Sequence, residues 1–140
     1  MLDGGAGPDT LTGGAGRDLF LINDMSFGDG GDFIVDFEPH SPAGNDFLGD
    51  TIDISALMDQ FTSFTGTNAD QAWAQGYLYF KSYGEQGTPY FGTSVYIDLN
   101  GRAPDGEIPD FQVARLNQVA PDQLGAIGQE FFGYSHHFIV

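Results

Sequence analysis

The sequence predicts an all-β protein with one or two short helices. The chain has 140 residues, which suits one domain, and its 13 Phe and 6 Tyr can fill a core. Short runs of β-branched and aromatic residues recur between segments rich in Gly, Pro, Asn and Asp, as expected for strands joined by turns. A nonapeptide of the form G-G-x-G-x-D-x-U-x, where U is apolar, occurs twice in tandem at residues 4–12 and 13–21.

Each nonapeptide combines the features of a calcium-binding loop. Glycine allows positive φ and brings backbone carbonyls close to an ion, while the aspartate supplies a charged oxygen. The apolar residue, Leu11 or Phe20, is expected to point inward from a very short strand. Because a flexible linker would not place large apolar residues nine positions apart, the tandem predicts an ordered structure, and its glycines and aspartates suit Ca²⁺.

The charge of the chain restricts its partners. Twenty acidic residues face four basic ones, for a formal net charge of -16. Such a surface repels nucleic acid and anionic membranes, so neither is expected as a partner. Membrane insertion is also not expected, because no apolar run approaches the roughly 20 residues that cross a bilayer. The absence of Cys excludes disulfides and thiolate zinc sites.

The remaining elements follow from local patterns. Strands are expected at residues 33–37, 51–54, 77–80, 93–99, 111–116 and 131–140, the later ones antiparallel because polar and apolar residues alternate. One helix is expected from Ser55 to Gln60, with Ser55 as its cap. A second is expected from Asn68 to Gln75, with Asn68 as its cap and Trp73 on its apolar side.

This order of features resembles the C-terminal module of RTX (hemolysin-type calcium-binding repeat) proteins, in particular that of serralysin-type metalloproteases. The markers are the two nonapeptides, residues 32–37 (family form D-x-I-x-D-F), residues 50–57 (D-x-I-D-L-S-x-L), residues 110–113 and the apolar tail 138–140. The family has Asp before this tail, where this chain has His137.

The resemblance implies a short calcium-binding parallel β-roll followed by an antiparallel β-sandwich-like block with one or two short helices. A truncated roll and its capping strand would occupy residues 1–37. The antiparallel block, with a tail like a secretion signal, would occupy residues 38–140.

The resemblance also implies the calcium ligands. In this family two nonapeptides form one turn, and each ion lies between stacked loops. Counting two repeats onward places Gly31 and Asp36 level with Gly13 and Asp18, which predicts a degenerate third loop. The implied ligands are the carbonyls of Gly5, Gly7, Gly14 and Gly16 and the carboxylates of Asp9, Asp18, Asp24, Asp32 and Asp36.

As a function, the resemblance implies a non-catalytic calcium-binding module of a secreted, extracellular bacterial protein. The module would fold on calcium and carry the signal for a type I secretion ABC transporter, and an upstream domain of the same protein would be its partner. The alternative is a module that binds an alginate-like polysaccharide. Four basic residues argue against a cationic groove for a polyanion, although bound calcium could compensate in part.

Three further patterns allow other sites. Trp73 and the series Tyr77, Tyr79 and Tyr83 would suit a sugar platform, although alternating aromatic residues in a strand more often pack against neighbours. Asp50 and Asp53 are a possible catalytic pair, but their segment has structural roles in the family. Residues 98–110 partly match a calcium loop, and an ordinary turn is the favoured interpretation. No G-x-S-x-G, H-E-x-x-H or Cys nucleophile is present, so no catalytic site is expected.

Overall fold

The computed structural model describes residues 1–5, 7–23, 31–39, 49–62, 64–66, 68–85, 87–98, 110–121, 124 and 138–140. These residues form two β-sheets and two short helices, so the all-β prediction is confirmed at that level. The strands are β1 (Leu2–Asp3), β2 (Thr10–Leu11), β3 (Leu19–Leu21), β4 (Asp32–Ile34), β5 (Thr51–Asp53), β6 (Leu78–Tyr83), β7 (Gly92–Asp98), β8 (Asp110–Asn117) and β9 (Phe138–Ile139). The helices are α1 (Ser55–Phe61) and α2 (Ala69–Ala74).

The first five strands alternate between the two sheets. The four-stranded sheet has the order β1-β3-β5-β9, and all of its neighbouring strands are parallel. The five-stranded sheet has the order β2-β4-β8-β7-β6, in which β2, β4 and β8 are parallel. Each nonapeptide thus ends in a strand of a different sheet, which brings its loop to the edge between the sheets.

The spacing of paired strands changes along the chain. Leu2 pairs with Phe20, 18 positions later, which is the length of two nonapeptides. Thr10 pairs with Phe33, 23 positions later, and Leu19 pairs with Thr51, 32 positions later. Longer connections therefore shift the register, and the predicted placement of Asp36 level with Asp18 is wrong.

The strands after residue 38 are not all antiparallel. β6, β7 and β8 form the expected antiparallel ladder, but β8 also pairs in parallel with β4. The tail strand β9 pairs in parallel with β5. The five-stranded sheet therefore runs without interruption from β2, the strand of the first nonapeptide, into the antiparallel strands.

One apolar cluster lies between the sheets. Phe20, Ile52 and Leu116 are fully buried members of it. The rings of Phe80 on β6 and Phe138 on β9 lie 5.2 Å apart and join the two sheets. Leu11 and Phe20 are both buried, so the inward orientation predicted for the eighth position of the nonapeptide is confirmed.

The helices agree with the prediction in position and differ in detail. Asn68 caps α2, where its Oδ1 accepts a hydrogen bond from the Gln71 amide at 2.9 Å, as predicted. Ser55 is not the cap of α1: it is the first helical residue, and Asp53 Oδ1 accepts from its amide and its hydroxyl at 3.0 and 2.6 Å. Within the described residues no helix has the length and apolar character needed to span a bilayer.

Candidate metal centre

The two nonapeptides have similar φ angles at two matching glycines. The glycines at the second and fourth positions have positive φ in both: 86° and 100° at Gly5 and Gly7, and 91° and 107° at Gly14 and Gly16. A Cβ at any of these four positions would meet no atom within 4 Å. These glycines are therefore required by the left-handed backbone and not by a lack of space.

The first glycine of each nonapeptide has a different role. A Cβ on Gly4 would lie 2.6 Å from Oδ2 of Asp9, and a Cβ on Gly13 would lie 2.6 Å from Oδ2 of Asp18. Each aspartate thus folds back over the glycine that begins its own nonapeptide. The motif needs glycine here because its hydrogen leaves room for the carboxylate.

The same fold-back buries one oxygen of each aspartate. Asp9 Oδ2 and Asp18 Oδ2 are shielded from solvent, and neither has a hydrogen-bond partner in the part of the chain that the structure describes. A buried carboxylate oxygen without a donor or cation is costly, and native proteins rarely leave one in that state. Two such oxygens at matching positions are suited to a hard cation, which prefers carboxylate and carbonyl oxygens.

Downstream aspartates hold the loops in place. Asp32 lies level with Asp9, and its Oδ1 accepts a hydrogen bond from the Asp9 amide at 2.9 Å. Asp50 lies level with Asp18, and its Oδ1 accepts from the Asp18 amide at 2.8 Å. The contact is thus repeated in both sheets, which positions the two aspartates alike.

Asp36, in the segment that follows β4, also holds the second nonapeptide. Its Oδ1 and Oδ2 accept hydrogen bonds from the amides of Gly13 and Gly14, both at 2.8 Å. These bonds fix the start of the loop that carries Asp18. Asp36 was predicted as a metal ligand, and the structure places both of its oxygens on backbone amides.

Asp50 was not among the predicted ligands. It is a buried acceptor that contacts both the second nonapeptide and the segment after β4. The residue is fully buried, and its Oδ2 accepts from the Glu38 amide at 2.9 Å. Burial raises the pKa of Asp50; the Glu38 and Asp18 amides oppose the shift, and the negative charges of Asp18 and Glu38 add to it. A cation next to Asp18 would offset this repulsion. The structural role expected for Asp50 therefore agrees with its contacts.

A repeated sequence pattern marks the aspartates of this register. Asp9, Asp18, Asp32 and Asp50 each precede an apolar residue by two positions, namely Leu11, Phe20, Ile34 and Ile52, all of which are buried. Asp46 precedes Leu48 in the same way, so the pattern identifies Asp50 as a candidate without deciding which aspartates pair.

The predicted ligands are therefore brought together only in part. Asp9 and Asp18 with their glycines lie in two equivalent loops, Asp32 and Asp36 bind amides, and Asp24 lies outside the described residues. In the described part of the chain, no three His, Asp or Glu side chains converge on a point suited to a metal. Carbonyl oxygens would have to complete any calcium shell, since Ca²⁺ takes six to eight ligands. Gly5, Gly7, Gly14 and Gly16 are the residues that would supply them.

No protein-family model matches the chain, and no curated protein or solved structure is significantly similar to it.

Proposed function

We propose that this protein is a non-catalytic calcium-binding module of a secreted bacterial RTX protein, whose first strands form a short parallel β-roll. The observation that carries the proposal is a pair of buried oxygens, Asp9 Oδ2 and Asp18 Oδ2, which have no hydrogen-bond partner among the described residues and lie in loops with similar positive φ at two glycines. The offset of 18 residues between β1 and β3 supports a turn built from two nonapeptides.

The concentration of negative charge in residues 1–53 supports the same proposal. Residues 1–53 contain ten Asp and Glu38 against one basic residue, Arg17. Two unit charges 4 Å apart interact by about 1 kcal/mol in bulk water and by more next to a protein interior. Bound Ca²⁺ would remove this repulsion, so its binding free energy would contribute directly to folding.

The position of the C-terminal tail in the fold is consistent with export before folding. Phe138 is 2% exposed and pairs with Ile52 of β5 at the edge of the four-stranded sheet. A secretion signal that is read through the Phe138 side chain would therefore be accessible only while the chain is unfolded. Low calcium inside the cell would keep the acidic chain open for a type I ABC transporter, and high calcium outside would fold it next to its upstream domain. Affinities of extracellular calcium modules, about 10⁻⁴ to 10⁻³ M, suit this order of events.

Calorimetric titration with Ca²⁺, paired with circular dichroism, tests the calcium proposal. The chain is expected to bind calcium and gain β-structure, and Asp9→Asn and Asp18→Asn are each expected to weaken binding at least tenfold. Asp59→Asn is the control, because Asp59 is exposed on α1 and the substitution removes the same charge. The absence of binding heat, or equal affinity in all four proteins, would contradict the proposal.

Export is tested separately in the full-length secreted protein. Deletion of residues 131–140 is expected to stop its appearance in the culture medium, measured by immunoblot so that folding does not affect detection. Undiminished export would remove the secretion signal from the proposal and leave the calcium site unaffected.

A further inference from the structure

The two nonapeptides differ at the positions that carry neither a predicted calcium ligand nor the core residue. The seventh and ninth residues flank the buried apolar residue, so they point outward from the sheet. In the first nonapeptide these residues are Thr10 and Thr12, both exposed, whereas in the second they are Leu19 and Leu21, both half-buried. The motif leaves both positions free, so the two leucines need another explanation.

Other outward residues of the four-stranded sheet lie next to these leucines. Phe20, Ile52 and Phe138 face the core, so the residues beside them along β3, β5 and β9 face outward. Leu2 pairs with Phe20, which places Asp3 outward on β1. We define the outer face of the four-stranded sheet by its outward residues: Asp3, Leu19, Leu21, Thr51, Asp53 and Ile139.

A cavity opens on this face. Its volume is about 270 Å³, and its lining consists of Arg17, Asp18, Leu19, Thr51 and Ile139. An enclosed cavity of about 150 Å³ can hold a benzene ring, so this one has room for a leucine or phenylalanine side chain. Ile139 is 43% exposed although it lines the cavity. An apolar side chain from a partner would therefore contact Leu19 and Ile139 there.

Carboxylates alternate with apolar side chains across the face. Strand pairing gives one row across the four strands, in the order Asp3, Leu21, Asp53 and Ile139. Asp3 accepts hydrogen bonds from the Gly5 amide and the Asn23 side chain. Asp53 accepts from the amide and hydroxyl of Ser55. All of these donors are neutral, and in the described part of the chain neither carboxylate forms an ion pair, so both keep a negative charge next to apolar side chains.

Charge and size select the class of partner. An uncharged apolar partner would bury Asp3 and Asp53 without a counterion, which is costly. A second copy of the chain would bring two net charges of -16 together. Four strands and about three residues along each span about 15 by 10 Å, so the area is far below the roughly 800 Å² that each partner buries in a stable protein interface. A short segment with basic and apolar side chains fits instead.

We propose that the outer face of the four-stranded sheet binds an amphipathic helix of a partner protein in which basic and apolar side chains alternate along one stripe. Such a helix would lie across the strands, where about ten residues cover about 15 Å. Helix side chains seven positions apart are about 10.5 Å apart, and Asp3 and Asp53 are two strands, or about 9.6 Å, apart. Two basic side chains at this spacing would pair with the two aspartates. Apolar side chains between and beyond them would cover Leu21 and enter the cavity at Ile139.

The inference does not rest on the calcium proposal, because none of the outward residues is a predicted metal ligand. Asp18 lines the cavity and is left unchanged in every variant of the test. All measurements use folded protein, verified by circular dichroism, at one fixed calcium concentration. Binding of the helix by a chain that does not bind calcium would contradict only the calcium proposal, and calcium binding without helix binding would contradict only this inference.

The test is NMR titration of the ¹⁵N-labelled chain with a synthetic helix of alanine and glutamine that carries two lysines seven positions apart and a leucine four positions after each. The helix is expected to bind with a Kd below about 1 mM and to shift amide signals of β3, β5 and β9. Two control helices have glutamine in place of both lysines or in place of both leucines. Each control is expected to bind at least tenfold more weakly.

Substitutions in the chain locate the contact. Asp3→Asn and Ile139→Ser are each expected to weaken binding at least threefold, and the asparagine keeps an oxygen for the Gly5 amide. Asp59→Asn and Tyr90→Ser are the matched controls, because each makes the same kind of change at an exposed residue outside the outer face. Both are expected to change affinity less than twofold. Melting temperatures of all variants report whether a loss reflects unfolding.

Four results would overturn the inference. They are no binding of the lysine and leucine helix to folded wild-type protein, equal binding of either control helix, shifts confined to signals outside the four-stranded sheet, and losses in the matched control variants as large as those in Asp3→Asn and Ile139→Ser. Equal binding of the helix without leucine would show that the acidic surface attracts any polycation.

Discussion

The strands near the N-terminus and the strands of residues 78–117 are stabilised differently. β1 to β5 are two or three residues long, whereas β6, β7 and β8 have six, seven and eight residues. The long strands form antiparallel ladders of six and seven residue pairs, with one irregularity between Val95 and Tyr96. The short strands have few ladder bonds, and aspartate carboxylates hold the loops between them. On the proposed function, bound Ca²⁺ would supplement these few bonds, and the acidic residues that accumulate in this region would provide its ligands.

The largest expected effect tests whether the two regions fold as one unit. Phe20→Ala is expected to lower the free energy of unfolding by about 3–5 kcal/mol, because the fully buried ring leaves a cavity between the sheets. Ile97→Ala in β7 is the matched variant, and it is expected to lower the free energy of unfolding by about 2–5 kcal/mol. Since both residues belong to one core cluster, each variant is expected to unfold in a single transition in urea. Two separate transitions would show that the regions are independent.

Asp50→Asn tests the buried acceptor between the regions. The substitution replaces one carboxylate oxygen by an NH₂ group, which would face the amide of Asp18 or Glu38 donor to donor. The expected loss is about 1–3 kcal/mol of stability, measured by urea denaturation, together with weaker calcium binding. Asp53→Asn is a useful comparison because Asp53 contacts Ser55 at the start of α1. Unchanged calcium affinity in Asp50→Asn would show that this residue does not position Asp18.

Substitutions at two adjacent glycines distinguish the cost of backbone strain from the cost of displacing the Asp18 carboxylate. Gly14→Ala places a Cβ in open space at φ 91°, so it is expected to cost about 1–2 kcal/mol of stability. Gly13→Ala places a Cβ 2.6 Å from Asp18 Oδ2 and is expected to weaken calcium binding more than Gly14→Ala does. Calorimetry and thermal melting of both variants give the comparison. The reverse order of calcium affinities would contradict the role assigned to the first glycine.

Tyr83→Phe gives the smallest expected effect, and it is a gain. The Tyr83 hydroxyl is shielded and has no hydrogen-bond partner among the described residues, so its removal is expected to stabilise the antiparallel strands by about 1 kcal/mol. Burial raises the pKa of Tyr83, while Arg115 acts in the opposite direction. The folded state therefore favours the neutral phenol, and stability present below the ordinary pKa of tyrosine is lost as the pH rises through the raised value. Melting curves between pH 8 and 11 are expected to show less alkaline loss in Tyr83→Phe than in the wild type, and equal loss would contradict this assignment.

The sequence predicts the local features of this fold better than its register. The Asn68 cap and the inward Leu11 and Phe20 follow from local chemistry, and the structure agrees. Trp73 follows buried Ala69 by four positions and therefore lies on the helix face of Ala69 and Ala72, as predicted, although 38% of its surface is exposed.

Register and sheet partners depend on contacts that are distant in the sequence. The lengths of the connections before β4 and β5 decide which aspartates lie level, and the sequence shows insertions without showing where the chain resumes pairing. The parallel pairing of β9 with β5 likewise joins residues far apart in the chain.

The calcium site is tested most directly by diffraction from crystals grown with Ca²⁺. The account predicts density for ions about 2.3–2.6 Å from Oδ2 of Asp9 and from Oδ2 of Asp18, with glycine carbonyls completing each shell. If both oxygens instead contact water or protein donors, with no ion present at saturating calcium, the account of the N-terminal strands is wrong.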